Sequence, residues 1–163
     1  SWMAFFMYPA ADYYNRPQAN YTQWEMDFME ILGSDIAKMH VTTHQKDAQN
    51  AQNSGSESVV DTGRNDDGFH VFGFDKQPGK VDVYRDGVRL LSKPTLSRMT
   101  SAGYLCLVLD VGTDGGWAGT PNPQKYPQSL QVDYVRAYKT DATTVVGGPF
   151  SSVHLGKART DGR

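Results

Sequence analysis

The sequence predicts an all-β fold of the sandwich or jelly-roll class, and two observations lead to this prediction. Short apolar runs rich in β-branched and aromatic residues alternate with turn residues along most of the chain, a pattern typical of antiparallel β proteins. In addition, no ten-residue segment has the apolar spacing of an amphipathic helix. We therefore expect short strands that pair into two sheets, with a core between their inner faces.

The predicted strands are separated by tight turns and by longer loops. They cover residues 1–8, 24–31, 37–44, 69–75, 80–85, 88–91, 104–111 and 130–138. The polar segment 45–68 predicts an extended loop with one short strand at 57–60. Pro78-Gly79 and Asp86-Gly87 predict tight turns, and the second is a strong β-hairpin signal because alternating runs flank it. Residues 112–128 are rich in Gly and Pro and predict a loop.

The apolar patterns of the individual strands indicate how much of each is buried. Residues 104–111 are almost continuously apolar, which predicts a strand buried between layers. In 37–44 one face carries Ala37, Met39 and Val41 and the other face is polar, which predicts a strand with one buried face.

Length and composition exclude several classes of protein. The 163 residues suggest one domain, which we place at 1–139, followed by a polar tail at 140–163. The net charge of −2 and the absence of a dense Lys/Arg block argue against nucleic-acid binding. No apolar stretch approaches the roughly 20 residues that span a bilayer. The single cysteine, Cys106, excludes an internal disulfide and a Cys-based zinc site.

The segment 24–31 carries three acidic residues in an alternating strand pattern. Side chains of a strand point alternately to its two faces. Trp24, Met26 and Phe28 therefore share one face, which we expect in the core, while Glu25 and Asp27 line the opposite, solvent-reached face.

Strict alternation fails at the end of this strand. It would place Glu30 on the core face, where an unpaired charge is costly to bury. A one-residue β-bulge near Phe28-Met29 resolves the conflict, because it brings Glu30 to the face of the other two carboxylates and returns Ile31 to the core. We predict such a bulge.

A row of carboxyl groups on one sheet face has a chemical use. Retaining glycosidases need two carboxyl groups about 5–5.5 Å apart, one as nucleophile and one as acid/base. Like charges at short distance also raise the pKa of one partner, which keeps it protonated near neutral pH. From the residues alone, a solvated acidic strand and a calcium site are equally open alternatives.

The run Glu25-Met-Asp-Phe-Met-Glu30 resembles the bulged Glu-x-Asp-x-x-Glu motif of glycoside hydrolase family 16, the laminarinase, agarase and carrageenase group. Further segments resemble the same family in the same order. They are residues 1–7, 69–87, 104–117 and 132–136. The ordered set covers residues 1–139 and is more specific than any one motif.

The resemblance implies a concanavalin-like β-jelly-roll sandwich with a substrate cleft. It implies that Glu25 is the nucleophile, that Asp27 assists it through a hydrogen bond, and that Glu30 is the general acid/base. The chain resembles the C-terminal two-thirds of the family domain, apparently without its N-terminal strands. We therefore expect an upstream segment or a second chain to complete the sandwich.

The resemblance also suggests binding residues. Trp117 is expected to stack on sugar and Trp2 to line the cleft. His44 is expected to contact Glu30 or the substrate. Packing or an ordinary surface position is the alternative for each. Asp133 matches a position that binds a structural calcium in some family members.

The resemblance implies a retaining endo-hydrolase of a β-linked polysaccharide, with a β-1,3- or β-1,3-1,4-glucan first and agar or carrageenan next. No cofactor is required, no nucleic-acid or membrane partner is expected, and the family implies a secreted protein. The competing hypothesis is a non-catalytic carbohydrate-binding jelly roll or a part of a multi-chain assembly such as a phage fibre.

Overall fold

The computed structural model describes residues 1–9, 23–46, 53–95, 99, 103–113, 115–139 and 153–154. The chain divides into two compact units, Ser1–Gln128 and Ser129–Arg163. Most of the predicted tail 140–163 lies outside the described residues. The predicted boundary at 139–140 stays a prediction.

The described part of the first unit contains eight strands in two antiparallel sheets. In chain order they are β1 (Trp2–Pro9), β2 (Gln23–Leu32), β3 (Asp35–Lys46), β4 (Asn53–Asp61), β5 (Phe72–Gln77), β6 (Lys80–Arg85), β7 (Val88–Pro94) and β8 (Gly103–Asp110). One sheet has the order β4-β3-β2-β1-β8, and the other has the order β5-β6-β7.

Side chains of both sheets form the hydrophobic core. Its fully buried members are Trp24, Met26, Phe28, Met29, Ile31, Met39, Val41, Val81, Val83 and Met99. Phe28 of β2 stacks on Phe74 of β5 with their rings 4° from parallel, which joins the two sheets directly. Burying a large apolar side chain stabilises a fold by about 1.5–3 kcal/mol, so this layer supplies most of the driving force. The predicted all-β sandwich is confirmed.

A buried lysine also connects the sheets. Lys93 of β7 is 5% exposed, and its Nζ donates hydrogen bonds to the backbone oxygens of Val41 and Ser56. Burial lowers the pKa of Lys93. The two carbonyl acceptors offset part of the cost of burying this amine.

The two tight turns of the three-stranded sheet are as predicted. Asp86 and Gly87 have φ values of 52° and 80°, the positive pair that a type I′ hairpin turn requires. Gly79 has φ 84° in the Pro78-Gly79 turn, a conformation that glycine adopts without a Cβ penalty.

Three strand predictions need correction in the first unit. Among the described residues of the segment 45–68, the predicted short strand at 57–60 is longer than expected, because β4 runs over Asn53–Asp61 as the edge strand beside β3. An edge strand with one open face needs few apolar residues. The strand predicted at 69–75 starts only at Phe72. The Val71 N–H donates to the Asp86 carboxylate, so the residues before Phe72 do not continue the strand.

The third correction concerns β8, which was predicted to be buried. It lies at the edge of the five-stranded sheet, where Leu107 and Leu109 are 41% and 36% exposed. An apolar run alone does not distinguish a central strand from an edge strand.

The second unit departs from the sequence prediction. Of the predicted strand 130–138, only Tyr138 belongs to a strand, β9 (Tyr138–Lys139), which pairs with β10 (Val153–His154). Val132, Tyr134 and Val135 are all more than 40% exposed. Alternating apolar residues form a strand only where a partner strand is available. Among the described residues of both units, no helix is long and apolar enough to cross a membrane.

Candidate active site

The register of β2 contains the predicted bulge. Phe5 of β1 pairs with Met29, and the next residue, Phe6, pairs with Asp27. Phe28 is therefore the extra residue. Toward β3, Asp27 and Glu30 are three residues apart but oppose Thr42 and His40, which are two apart. The same bulge is thus seen from both neighbouring strands, and this prediction is confirmed.

The bulge brings the three carboxyl groups to one face of the sheet. Phe28, Met29 and Ile31 are buried in the core, while Glu25, Asp27 and Glu30 lie opposite. These carboxyl groups are less open to solvent than predicted. Asp27 is 3% and Glu30 is 7% exposed, because side chains of β1 and β3 flank them on both sides.

Burial and mutual repulsion change the acidity of this row. Burial raises the pKa of Glu25 to about 7, and the charge of Asp27 adds to the shift. Burial likewise raises the pKa of Glu30 to about 7, again with a contribution from Asp27. At neutral pH the row therefore exchanges protons readily, which a general acid/base needs.

Two residues of β3 hold the row in place. Thr42 Oγ1 donates a hydrogen bond to Glu30 Oε2 at 3.2 Å, which lowers the pKa of Glu30 against the larger effect of burial. His44 Nε2 lies 3.2 Å from Asp27 Oδ2, and this hydrogen bond raises the pKa of His44. His44 thus belongs to the site, and its protein partner is Asp27, whereas the sequence suggested Glu30 or the substrate.

Tyr8 is a site residue that the sequence analysis missed. It shares a face of β1 with Phe6, whose ring it meets edge-on at 5.2 Å. The Tyr8 hydroxyl donates a hydrogen bond to the Glu25 carboxylate, which lowers the pKa of Glu25. Burial, together with the Glu25 charge, raises the pKa of Tyr8. Tyr8 lies beside Glu25 only because β1 pairs with β2 in this register. The sequence of residues 10–22, between the two strands, does not indicate that pairing.

Trp2 and Trp117 lie together, as their predicted role requires. Their ring centroids are 5.8 Å apart at an interplanar angle of 81°. Trp117 is 51% exposed, so much of its ring is open to a ligand. The Trp2 Nε1 donor is buried and has no hydrogen-bond acceptor among the described residues. His40 of β3 packs edge-on against Trp117.

Asp133 lies in the second unit, outside its strands, and is exposed. In the part of the chain that the structure describes, no group of three or more His, Cys, Asp or Glu side chains is arranged to hold a metal ion. A calcium ion at Asp133 stays a prediction.

Comparisons with known proteins agree with this fold. No family model matches the chain. A β-glucanase of Paenibacillus macerans is 31% identical over 120 residues, which are 72% of this chain and 48% of that protein. The chain is related to glycoside hydrolase family 16. A keratan-sulfate endo-1,4-β-galactosidase of Sphingobacterium multivorum is 28% identical over 151 residues, 85% of this chain and 33% of that protein.

A solved structure has a fold similar to that of this chain. LamAcat of Zobellia galactanivorans superposes with a TM-score of 0.59 at 16% identity, over 77% of this chain and 53% of that one. At this identity the similarity concerns the fold alone. The chain spans about half the length of the β-glucanase and about a third of the length of the galactosidase.

Proposed function

We propose that this chain carries the catalytic centre of a retaining endo-glycoside hydrolase that cleaves a β-linked polysaccharide. The observation that carries the proposal is the bulged strand β2, which brings Glu25, Asp27 and Glu30 to one sheet face, where Asp27 and Glu30 are buried. Isolating acidic groups from water in this way lowers stability. A catalytic role of these carboxyl groups explains why the fold keeps them there. The relationship to family 16 supports the same reading.

In the first step, the Glu25 carboxylate attacks the anomeric carbon while protonated Glu30 gives its proton to the glycosidic oxygen. The carbon–oxygen bond to the leaving sugar breaks, and a glycosyl ester forms on Glu25. In the second step, ionised Glu30 takes a proton from water, whose oxygen attacks the anomeric carbon and releases Glu25. Two inversions give retention of configuration.

The surroundings of the two glutamates suit these roles. Tyr8 favours the ionised form of Glu25, because its hydroxyl donates to the carboxylate. Asp27 lies beside Glu25 and raises its pKa, and His44 in turn holds Asp27. Glu30 is 7% exposed, and burial favours its protonated form. Both glutamates titrate near pH 7. Activity then requires that Glu30 holds a proton while Glu25 is ionised.

For the substrate, we propose a β-1,3- or β-1,3-1,4-glucan, supported by the relative named a β-glucanase. A β-linked galactan, including agar or carrageenan, is the second candidate, because another relative is named a galactosidase. Such polymers are too large to enter cells, so we propose that the enzyme acts as a secreted protein. We also propose that an upstream segment or a second chain completes the sandwich.

The test is release of reducing ends from laminarin, lichenan, agarose and carrageenan. We expect cleavage of a glucan by the wild type, a loss of about a hundred- to ten-thousandfold in Glu30→Gln, and at least as large a loss in Glu25→Gln. Asp66→Asn, an exposed acid paired with Arg64, is the control and should retain full activity. A wild type that binds these polymers but cuts none would support the carbohydrate-binding alternative instead.

A further inference from the structure

A pair of polar side chains lies beside the acidic row on the same sheet face. His40 of β3 is the cross-strand partner of Glu30. Glu57 of β4 opposes Thr42, the next residue of that face. His40 Nδ1 lies 2.6 Å from Glu57 Oε1. The hydrolysis proposed above assigns no role to this His40–Glu57 pair.

The pair adjoins an aromatic surface. The His40 ring stands edge-on to Trp117, with centroids 5.1 Å apart at 81°. Trp117 also packs against Trp2, whose buried indole N–H lacks an acceptor among the described residues. Leaving such a donor unpaired is costly, and an oxygen of a bound ligand would relieve that cost. The side chains of Trp2, His40, Glu57 and Trp117 therefore place aromatic rings, hydrogen-bond donors and a carboxylate acceptor together beside Glu30. We call this group of four side chains the corner.

The charge of this corner restricts its ligand. The Glu57 side chain is 46% exposed, and Asp27 lies on the same face, whereas Glu30 is protonated in the proposed first step. Of the basic side chains on that face of β3, Lys38 is 3.0 Å from Asp35 and is thereby paired, and His44 contacts Asp27. A sulfate or carboxylate placed here would meet like charges. An uncharged sugar instead finds a carboxylate acceptor for its hydroxyls and an indole face for its C–H groups.

We propose that His40, Glu57 and Trp117 form a binding subsite for an uncharged pyranose next to Glu30, and that Glu57 excludes sulfated sugars from it. Glu57 fixes the orientation of the imidazole through Nδ1, which leaves Nε2 directed to the ligand. Trp117 supplies the stacking surface. This inference rests on the proposed function, because it takes the polysaccharide to occupy this face of the sheet.

The experiment compares laminarin with chemically sulfated laminarin, which has the same linkage and differs in charge. We expect the wild type to prefer the neutral polymer at least tenfold in kcat/KM. Glu57→Gln should reduce this preference about five- to tenfold, because it removes one of the facing charges. The preference of the wild type should also weaken with added salt, which screens exposed charges. Trp117→Ala should raise KM for both polymers.

The control is Asp61→Asn, which removes a carboxylate from the same strand β4 at a distance from the corner. It should leave the preference unchanged. The subsite is refuted if folded, active Glu57→Gln keeps the wild-type preference, or if Asp61→Asn changes it equally. If the wild type cuts neither polymer, a β-1,3-glucan is excluded as its substrate, and affinity electrophoresis with the same two polymers then decides the subsite: equal retardation, or none, refutes it.

Discussion

Replacing Tyr8 by Phe removes a single hydroxyl from the acidic row and leaves its packing in place. The Tyr8 hydroxyl donates to Glu25 and lowers the pKa of that carboxyl group, which burial otherwise raises to about 7. The ring still contacts Phe6 and Tyr104 in the variant. The expected effect is therefore on the titration of the nucleophile, with little change in stability.

The size of the effect follows from the strength of the lost bond. Hydrogen bonds to charged groups are worth about 1.5–3 kcal/mol, and about 1.4 kcal/mol corresponds to one pKa unit. Because Glu25 is only partly buried, solvent replaces part of the bond, and the lower end of this range applies. The acidic limb of kcat/KM should thus move to higher pH by about one pH unit. At pH 6 this means a loss of about tenfold, which largely disappears at pH 8.

The assay is the pH profile of kcat/KM on the polysaccharide that the wild type cuts best. The wild type should give a bell with its maximum near pH 7, since Glu25 must be ionised and Glu30 protonated. Tyr84→Phe, which removes a hydroxyl from the three-stranded sheet, is the matched control and should give the wild-type profile. An equal loss of activity in Tyr8→Phe at every pH would refute a role of Tyr8 in the ionisation of Glu25.

Two further predictions concern stability. Phe28→Ala removes the ring that stacks on Phe74 between the sheets; it should lower the free energy of unfolding by about 3–5 kcal/mol, measured by urea titration, and a change below about 1 kcal/mol would contradict this packing. His70 lies between the carboxylates of Asp67 and Asp86, whose hydrogen bonds raise its pKa, while nearby Arg85 lowers it. The stability from charged His70 is present below the unfolded pKa of about 6.5 and is lost as pH rises through the higher folded value. His70→Gln should therefore shift the urea midpoint more at pH 5.5 than at pH 8.5, and equal shifts at both pH values would disprove the coupling.

The most informative part of the sequence was the place where its pattern broke. Alternation in β2 placed Glu30 in the core, and the cost of burying a charge predicted the bulge at Phe28 that the register shows. The hairpin at Asp86-Gly87 was equally predictable, because few residues adopt two successive positive φ values. Both features depend on interactions within a few residues along the chain.

The remaining features depend on which strands become neighbours. Tyr8 reaches Glu25 only because β1 pairs with β2. Strand β4 has a polar sequence and is a strand because β3 offers it an edge. The alternating run 130–138 has the pattern of a strand, yet within the described residues it is not one before Tyr138. Burial of Asp27 and Glu30 also comes from flanking strands, so the row is less solvated than its sequence suggests.

The central claim is that Glu25 forms a covalent bond to the sugar. A 2-deoxy-2-fluoro glycosyl fluoride of the preferred sugar tests this claim directly. Fluorine at C2 slows both formation and hydrolysis of the ester, but the fluoride leaving group at C1 speeds formation only, so the ester accumulates. After incubation and peptic digestion, mass spectrometry should find one fluorosugar on the peptide that contains Glu25, and Glu25→Gln should remain unlabelled. A label on Glu30, or turnover without any label and with inversion of the anomeric centre, would contradict the account.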